Sequence, residues 1–572
     1  MKKSFQRAKI FILLAAILIV FFGFFFFSLN QSGSLVKGDR YYGGLFSYSL
    51  PEKISSLFPQ ETNALSELRI ISQLFDPLVK QSDSKGTIEN CLAKSIEIDK
   101  QGTLVHIKLR RGVLFNNDDC FAGASRELTA EDVAFTFSLA CSNHPLNQSN
   151  TLLMGKIQGS VSYFKNGLNP DKSTVSGIHI VNPYELEIHL TRPYNNFKQL
   201  LAHPSLGILS KISWGFYGGK LHLHPVGSGP FFIKSMTDTI LELARNEHYW
   251  RYDEFGNQLP YLDEVHVLTN MKLTQEYPLF SKEKVDLLFD LPVNDLEKAF
   301  GTLTDAKKGK NLLHRVHIQK ASKIHYLAWN MNSEPFNNPL VRKAFQLAIN
   351  RDYICSEILR GDGQALNRGF IPTCAYYSNP NLELIQQDLM RARNCLKEAG
   401  YNEKNPFPTI SFLINNQKGS NADLWCKEVC RQLKTGLGIP IHIEYVGTKE
   451  RDNLIKTGKA QIWKTGWVGD YPDAESYLRL FYQEIGETPS VENYFYHSRY
   501  NRLYLNSILT SNKKEKLFYQ RACEEIIANE NAILPIYSED FFVLINLRVR
   551  GFKMNPSGII DFSHIYIKNI EN

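Results

Sequence analysis

The chain has 572 residues, 43% hydrophobic and 22% charged, which is enough apolar content for a large core and for more than one domain. Its net charge of +7 is concentrated at the start, where Lys2, Lys3, Arg7 and Lys9 supply four of the positive charges. The remainder is too weak for a nucleic-acid surface, and there is no like-charge block, low-complexity tract or short-period repeat.

Residues 1–34 read as a signal peptide or an uncleaved membrane anchor. The basic start is followed by Ile10 to Phe27, an uncharged run of 18 residues, longer than the apolar core of an ordinary secretory signal. That length suits a transmembrane helix, and Ser28-Leu29-Asn30-Gln31-Ser32-Gly33 offers no clear cleavage site, so an uncleaved anchor is favoured. Basic residues before the run place the N-terminus in the cytoplasm and the bulk of the chain outside. The first cysteine is Cys91, which excludes lipid attachment to an N-terminal Cys. Nine cysteines leave at least one thiol unpaired even in an oxidising compartment. Cys426 and Cys430, one helical turn apart, read as small buried side chains rather than a metal pair.

Leu57 to Thr62 reads as a loop, and Leu65 to Phe75 as a helix with Leu65, Leu68, Ile70, Ile71 and Leu74 on its apolar side. Asp76-Pro77 ends it, because a residue before proline avoids helical geometry. Leu104 to Leu109 alternates as a strand. Thr129 with Asp132 three residues on predicts a capped helix start. Pro225-Val226-Gly227-Ser228-Gly229-Pro230-Phe231 lacks the Gly-Lys-Ser/Thr ending of a phosphate loop and reads as a tight turn before a strand. His222 and His224 would share a face if that stretch were a strand.

Ala460 to Thr465 reads as a strand, ended by Gly466-Trp467-Val468-Gly469-Asp470-Tyr471-Pro472-Asp473. Trp463, Trp467, Lys464 and Asp470 bring aromatic walls, a cation and an anion together, which suits a zwitterionic ligand such as a peptide. An ordinary buried turn with a satisfied Asp reads equally from these residues. Asp473 is placed to cap a helix over Ala474 to Phe481.

Several of these segments carry a resemblance in common. "SQLFDPLV", "KLRRGVLFNND", "LTAEDVAFTF", the Gly-rich turn, "LARNEHYW" with "PYLDEV", "WNMNSEPFNNPLVRKAFQLAINRDYI", "RARNCLKEAGY", "GWVGDYPDAESYLRLF" and "ILPIYSED" occur in this order. Together they resemble the periplasmic oligopeptide- and dipeptide-binding proteins of ABC importers, the bacterial extracellular solute-binding proteins of family 5. The stretch Asp119 to Glu127 departs from that pattern as a lengthened loop.

The resemblance implies an α/β fold: a two-lobed periplasmic binding protein with a hinge and an additional inserted domain, three domains in all. Residues 35–72, 205–315 and 530–572 would form domain I, 73–204 domain II, and 316–529 domain III, with the hinge near Ile324–Trp329 and Ala528–Tyr537. It also implies a non-enzymatic, monomeric binding protein without cofactor or metal, working with an inner-membrane permease and its ATPase subunits. The ligand would be a short peptide captured in the periplasm. Asp470 and Trp467 match the family's Gly-Trp-x-x-Asp motif, with Asp470 taking the ligand's amino end. Lys464, three residues before Trp467, would take the carboxyl end, and the backbone near Asn63 and Leu65 would pair with the peptide main chain. Tyr537 is a further contact. The aromatic residue many oligopeptide binders carry 19 positions before the motif Trp is Thr448 here, which leaves ligand length open. A nickel chelate, haem or a glutathione-like solute is the alternative ligand, and a membrane-tethered sensor the alternative role. No Gly-x-Ser-x-Gly, His-Glu-x-x-His or Walker sequence supports an enzyme.

Overall fold

A computed structural model describes residues 34–568 apart from 83, 290–294, 296–313, 374–376, 484–493 and 511. After a short hairpin, β1 (Leu45–Ser49) enters the main sheet and is followed by α1 (Leu65–Leu74). Leu68, Ile70, Ile71 and Leu74 of α1 are buried, and the chain turns extended at Phe75, ahead of Asp76-Pro77 as the proline predicts.

β2 (Ala93–Ile98), β3 (Leu104–Leu109), β4 (Ile178–Asn182) and β5 (Glu185–His189) make a separate antiparallel sheet in the order β2-β3-β5-β4. Between β3 and β4 lies α2 (Ala130–Ala140), which opens on the expected capping box: the Thr129 amide donates to Asp132 Oδ2 at 2.9 Å. Val105, Ile107, Val133, Phe137, Leu186 and Ile188 close an apolar core belonging to this inserted unit.

The main sheet continues through β6 (Phe231–Met236), β7 (Ile240–Arg245), β8 (Glu264–Leu268), β9 (Leu287–Phe289) and β10 (Arg315–Trp329). Past α3 (Pro339–Ala348) and the short β11 (Gln364–Ala365) come α4 (Leu389–Glu398), β12 (Ile410–Ile414) and α5 (Asn421–Leu437). The chain then forms β13 (Ile441–Tyr445), α6 (Thr448–Lys456), β14 (Ile462–Val468), α7 (Glu475–Leu478), α8 (Ser498–Leu509), α9 (Lys513–Asn529) and β15 (Ile533–Ile545). The strand order is β6-β7-β8-β1-β9-β15-β10-β14-β12-β13, with β11 added beside β15.

Two lobes share this sheet through β10 and β15. Arg315–Gln319 pairs with Phe541–Ile545, and Lys323–Ala328 with Ile533–Glu539, with a register shift between Gln319 and Lys323. Phe541, Val543 and Ile545 enter the first-lobe core, whereas Leu327, Trp329, Leu534 and Ile536 enter the second. The passage between lobes therefore lies at Gln319–Lys323 against Glu539–Phe541, slightly to the first-lobe side of the segments expected as the hinge. Both strands run on through it.

The Gly-rich turn is structural. A Cβ on Gly227 would lie 1.9 Å from the Leu74 carbonyl oxygen, and one on Gly229 2.3 Å from that of Gln73. The Gly229 amide donates to the same Leu74 oxygen at 2.9 Å, satisfying an end-of-helix carbonyl of α1. Gly227→Ala is expected to lower stability by about 1–3 kcal/mol, since backbone must move to admit the methyl. A denaturation midpoint unchanged from the parent's would refute this account of the turn.

The apolar run Ile10 to Phe27 lies outside the described residues, and among the described residues no helix is long and apolar enough to cross a membrane. Cys426 and Cys430 lie on α5 as free thiols, Cys426 buried and Cys430 partly so.

Candidate functional site

β14 runs further than its glycine suggests. Gly466 pairs with His325 and Trp467 with Ile324, so both stand inside the strand rather than ending it. Glycine is needed there because the Ile324 carbonyl oxygen would lie 2.8 Å from any Cβ. The turn beyond β14 is a junction of three cores. Val468 packs on the first-lobe core, Tyr471 enters that of the inserted unit, and Trp467 and Ala474 belong to the second lobe.

Hydrogen bonds hold the turn from both sides. Within the second lobe, Trp467 Nε1 donates to the Ser476 carbonyl at 2.9 Å, and the Asp470 amide to Ser476 Oγ at 2.8 Å. From the first lobe, Gln81 Nε2 and Ser557 Oγ both donate to the Asp470 carbonyl, at 2.6 and 2.8 Å. Asp473 Oδ1 accepts from the Glu475 amide at 2.9 Å, the expected cap, and Lys516 Nζ reaches Asp473 Oδ2 at 2.7 Å.

The Asp470 carboxylate is buried and already carries charge partners. Arg479, placed over the Trp467 ring at 5.2 Å, forms an ion pair with Oδ2. His203 Nε2, reaching across from the inserted unit, lies 3.5 Å from Oδ1. The Ser205 amide donates to His203 Nδ1, so Nε2 bears the proton and points it at Asp470. Burial pushes the Asp470 carboxyl up, but Arg479 and His203 outweigh it and hold the group below its ordinary value. Neither partner had a signal in the sequence: one lies nine residues along and the other in a different unit.

Lys464 lies further back on β14, opposite Leu327, and donates to Asn416 Oδ1 at 2.9 Å. Burial, with Lys323 and Arg451 adding to it, pushes its ammonium down to about 8. At the passage between lobes, Glu539 receives Lys323 and, at 2.9 Å, His325 Nε2. Burial raises the Glu539 carboxyl, yet the Lys323 ammonium first, and then His325, drive it well below the carboxylate range.

The other expected site residues divide by exposure. Asn63 is exposed, and Leu65 is half-buried against the first-lobe core. Tyr537 is 1% exposed and stacks on His325 at 4.4 Å between ring centres, which makes it part of the second-lobe core. Thr448 starts α6, and its hydroxyl accepts from Asn415 Nδ2 at 3.3 Å. His222 and His224 do not share a strand face: the chain forms a 3-10 turn over Gly218–Leu223, and His224 stacks on Tyr217 at 4.4 Å.

Beside Tyr471, between the inserted unit and the second lobe, lies a small cleft that opens partly to solvent. Lys156, Tyr194 and Asn195 line one side, and Glu475 and Lys516 the other. The Tyr471 and Tyr504 hydroxyls both donate to Glu475.

Two lobes joined by a pair of through-running strands, with a charged turn clasped between them, define a two-lobed α/β binding protein. A family model described as "Bacterial extracellular solute-binding proteins, family 5 Middle" matches residues 87–488. The chain belongs to this family of ABC-transporter solute-binding proteins. Heme-binding protein A of Haemophilus influenzae is 27% identical over 505 residues, covering 85% of each chain. Glutathione-binding protein GsiB of Escherichia coli strain K12 is 22% identical, covering 83% of this chain and 85% of the relative. Among solved structures, the Escherichia coli murein tripeptide binding protein MppA superposes with a TM-score of 0.81 at 20% identity, over 94% of this chain and 100% of that one. DppA from Helicobacter pylori in complex with the peptide STSA gives 0.78 at 23% identity, over 93% and 99%.

Proposed function

We propose that this protein captures short peptides in the periplasm and delivers them to an inner-membrane ABC permease driven by separate ATPase subunits. The observation that carries this reading is the Asp470 turn, a buried carboxylate clasped between two lobes. Oδ2 is occupied by Arg479, while Oδ1 takes only the long 3.5 Å contact from His203 among the described residues. A carboxylate oxygen has lone pairs for further donors, so the ligand's ammonium would sit at Oδ1 and displace His203. Trp467 would flank it, Lys464 would take the carboxyl end, and the backbone at Asn63 and Leu65 would pair with the peptide main chain. Tyr537 would act from behind, by fixing His325.

In this reading residues 35–72, 205–315 and 530–572 form domain I, 73–204 domain II and 316–529 domain III, and the lobes close about the passage in β10 and β15. The protein acts as a monomer, held at the membrane by Ile10 to Phe27. A non-peptide solute is the second reading, favoured by the likeness to Heme-binding protein A.

Mass spectrometry of solute released from protein that begins at Ser34 tests this directly. Short peptides are the expected finding, and a tetrapyrrole or metal chelate alone would transfer the assignment to the second reading. In calorimetry, a peptide with a free amino end should bind at least tenfold tighter than its N-acetylated form, because capping leaves the buried carboxylate without its ammonium, a difference of about 1.4 kcal/mol or more. Equal affinities would remove Asp470 from the amino-end role.

A further inference from the structure

We infer that the face carrying Leu35, Tyr252 and Phe255 rests on the membrane that holds Ile10 to Phe27, so that domain I lies against the lipid headgroups. This goes beyond the tether proposed above and rests on it.

Leu35, Tyr252 and Phe255 are 62%, 61% and 41% exposed. Single apolar side chains at a surface are ordinary, but these three belong to one protrusion. Leu35 lies in a hairpin, Ser34–Val36 against Arg40–Tyr42, where it pairs with Tyr41. Tyr252 and Phe255 lie in the loop packed on that hairpin. The Phe255 ring covers Gly38, where a Cβ would meet it at 2.4 Å, and Asn257 Nδ2 donates to the Lys37 carbonyl at 2.9 Å. Tyr252 pairs with Gln258, whose carbonyl accepts from the Tyr42 hydroxyl.

Beneath the protrusion lies a small core made mostly of aromatic rings. Tyr249, Tyr261 and Tyr566 are buried there, with Tyr41, Tyr42 and Trp250 half-buried at its edge. Tyrosine and tryptophan concentrate where a membrane meets water, because their rings are apolar at one end and form hydrogen bonds at the other.

Reach is set by the chain. Six residues, Ser28 to Gly33, separate Phe27 from Ser34. The seven backbone steps from Phe27 to Ser34 span about 25 Å at most, and the headgroup layer takes up about 5–8 Å of that. With Phe27 at the edge of the hydrocarbon, Leu35 is therefore confined to within about 20 Å of the headgroups. A surface held so close meets the lipid at high effective concentration, so a contact of three side chains suffices. Charge does not drive the seating. Lys37, Arg40 and Lys568 stand on the protrusion with Asp39 and Glu254, and Arg40 pairs with Glu254 at 3.5 Å. The signs are mixed, so seating depends on burying Leu35, Tyr252 and Phe255 and is indifferent to lipid charge. Domain I is then fixed on the bilayer, and the second lobe is the part that moves.

The full chain reconstituted in lipid vesicles tests this. A fluorescent amino acid is placed by codon suppression at Tyr252 and, as controls, at Met390 and Phe518, two exposed apolar positions of the second lobe. Lipid brominated high on its acyl chains quenches a fluorophore at the headgroup boundary. Seated about 5–10 Å into that boundary, the Tyr252 label is expected to lose about half of its emission or more, and the control labels almost none. The loss should be the same on phosphatidylcholine as on vesicles that also carry phosphatidylglycerol. Leu35→Glu with Phe255→Glu should abolish it, with thermal melts to confirm folding; the contrast among the labelled positions does not depend on that variant. Alkaline carbonate extraction separates the tether from the seating. A chain retained in the membrane but unquenched at Tyr252, or quenched equally at every labelled position, overturns this inference and leaves the tether standing. A chain released by carbonate overturns both. A dimer in detergent that the double variant dissolves assigns the face to a second copy of the chain and overturns the lipid seating.

Discussion

Arg479→Met is expected to lower folding stability by about 3–5 kcal/mol, because it leaves the buried Asp470 carboxylate without its ion-pair partner. The Asp470 side chain is 9% exposed and that of Arg479 15%, so water cannot replace the guanidinium. His203 offers only an N–H at 3.5 Å. Asp470→Asn should cost nearly as much for the mirror reason, since it strands the guanidinium over Trp467. The double variant Asp470→Leu with Arg479→Met should recover more than half of either loss, as replacing a buried pair by apolar groups is often close to neutral. Urea denaturation at pH 7 measures all three. A loss below about 1 kcal/mol in Arg479→Met, the range of exposed pairs, would mean that solvent reaches the pair and that the turn is held by its backbone bonds alone.

Glu539→Gln is expected to cost about 3 kcal/mol at pH 7, again the scale of breaking a buried ion pair. It leaves Lys323 and His325 facing each other where β10 and β15 pass between lobes. The same cluster predicts how stability changes with pH. Glu539 is held below its ordinary value in the folded protein, so its contribution is present above the ordinary carboxylate pKa and is lost as pH falls below it. His325 is also lowered, by burial first and with Lys323 adding, although Glu539 pulls the other way. A lowered histidine binds its proton more readily when unfolded, so stability drains as pH falls below the ordinary histidine value of about 6.5. Both groups therefore weaken the protein in acid, the histidine first. Denaturation midpoints at pH 7, 5.5 and 4 should fall in that order, and Glu539→Gln should show a flatter fall between pH 5.5 and 4. A slope unchanged by the substitution would show that other carboxylates set the acid limit.

Several elements were readable from residues alone because they depend on neighbours in the chain. α1 starts and stops where its apolar spacing and Asp76-Pro77 put it, and α2 opens on Thr129 and Asp132. The Gly-rich turn was rightly taken for a turn, though only the fold shows that Gly227 and Gly229 are needed against the end of α1. Asp473 caps as expected. Gly466 misled, since a glycine usually punctuates a strand; here it admits a carbonyl oxygen inside one.

The order of motifs along the chain was sufficient for the fold class and the family, because each motif is a local solution to a turn, a cap or a strand end. The charge state of the Asp470 turn was not a local matter. Arg479 arrives from the far side of α7, and His203, Gln81 and Ser557 come from the first lobe, so the sequence left Asp470 between a satisfied buried carboxylate and a ligand anchor, and the groups around it were decided by the tertiary structure. Electrostatics in a buried junction depend on distance in space and on exclusion of water, and both are decided only when the inserted unit and the second lobe meet.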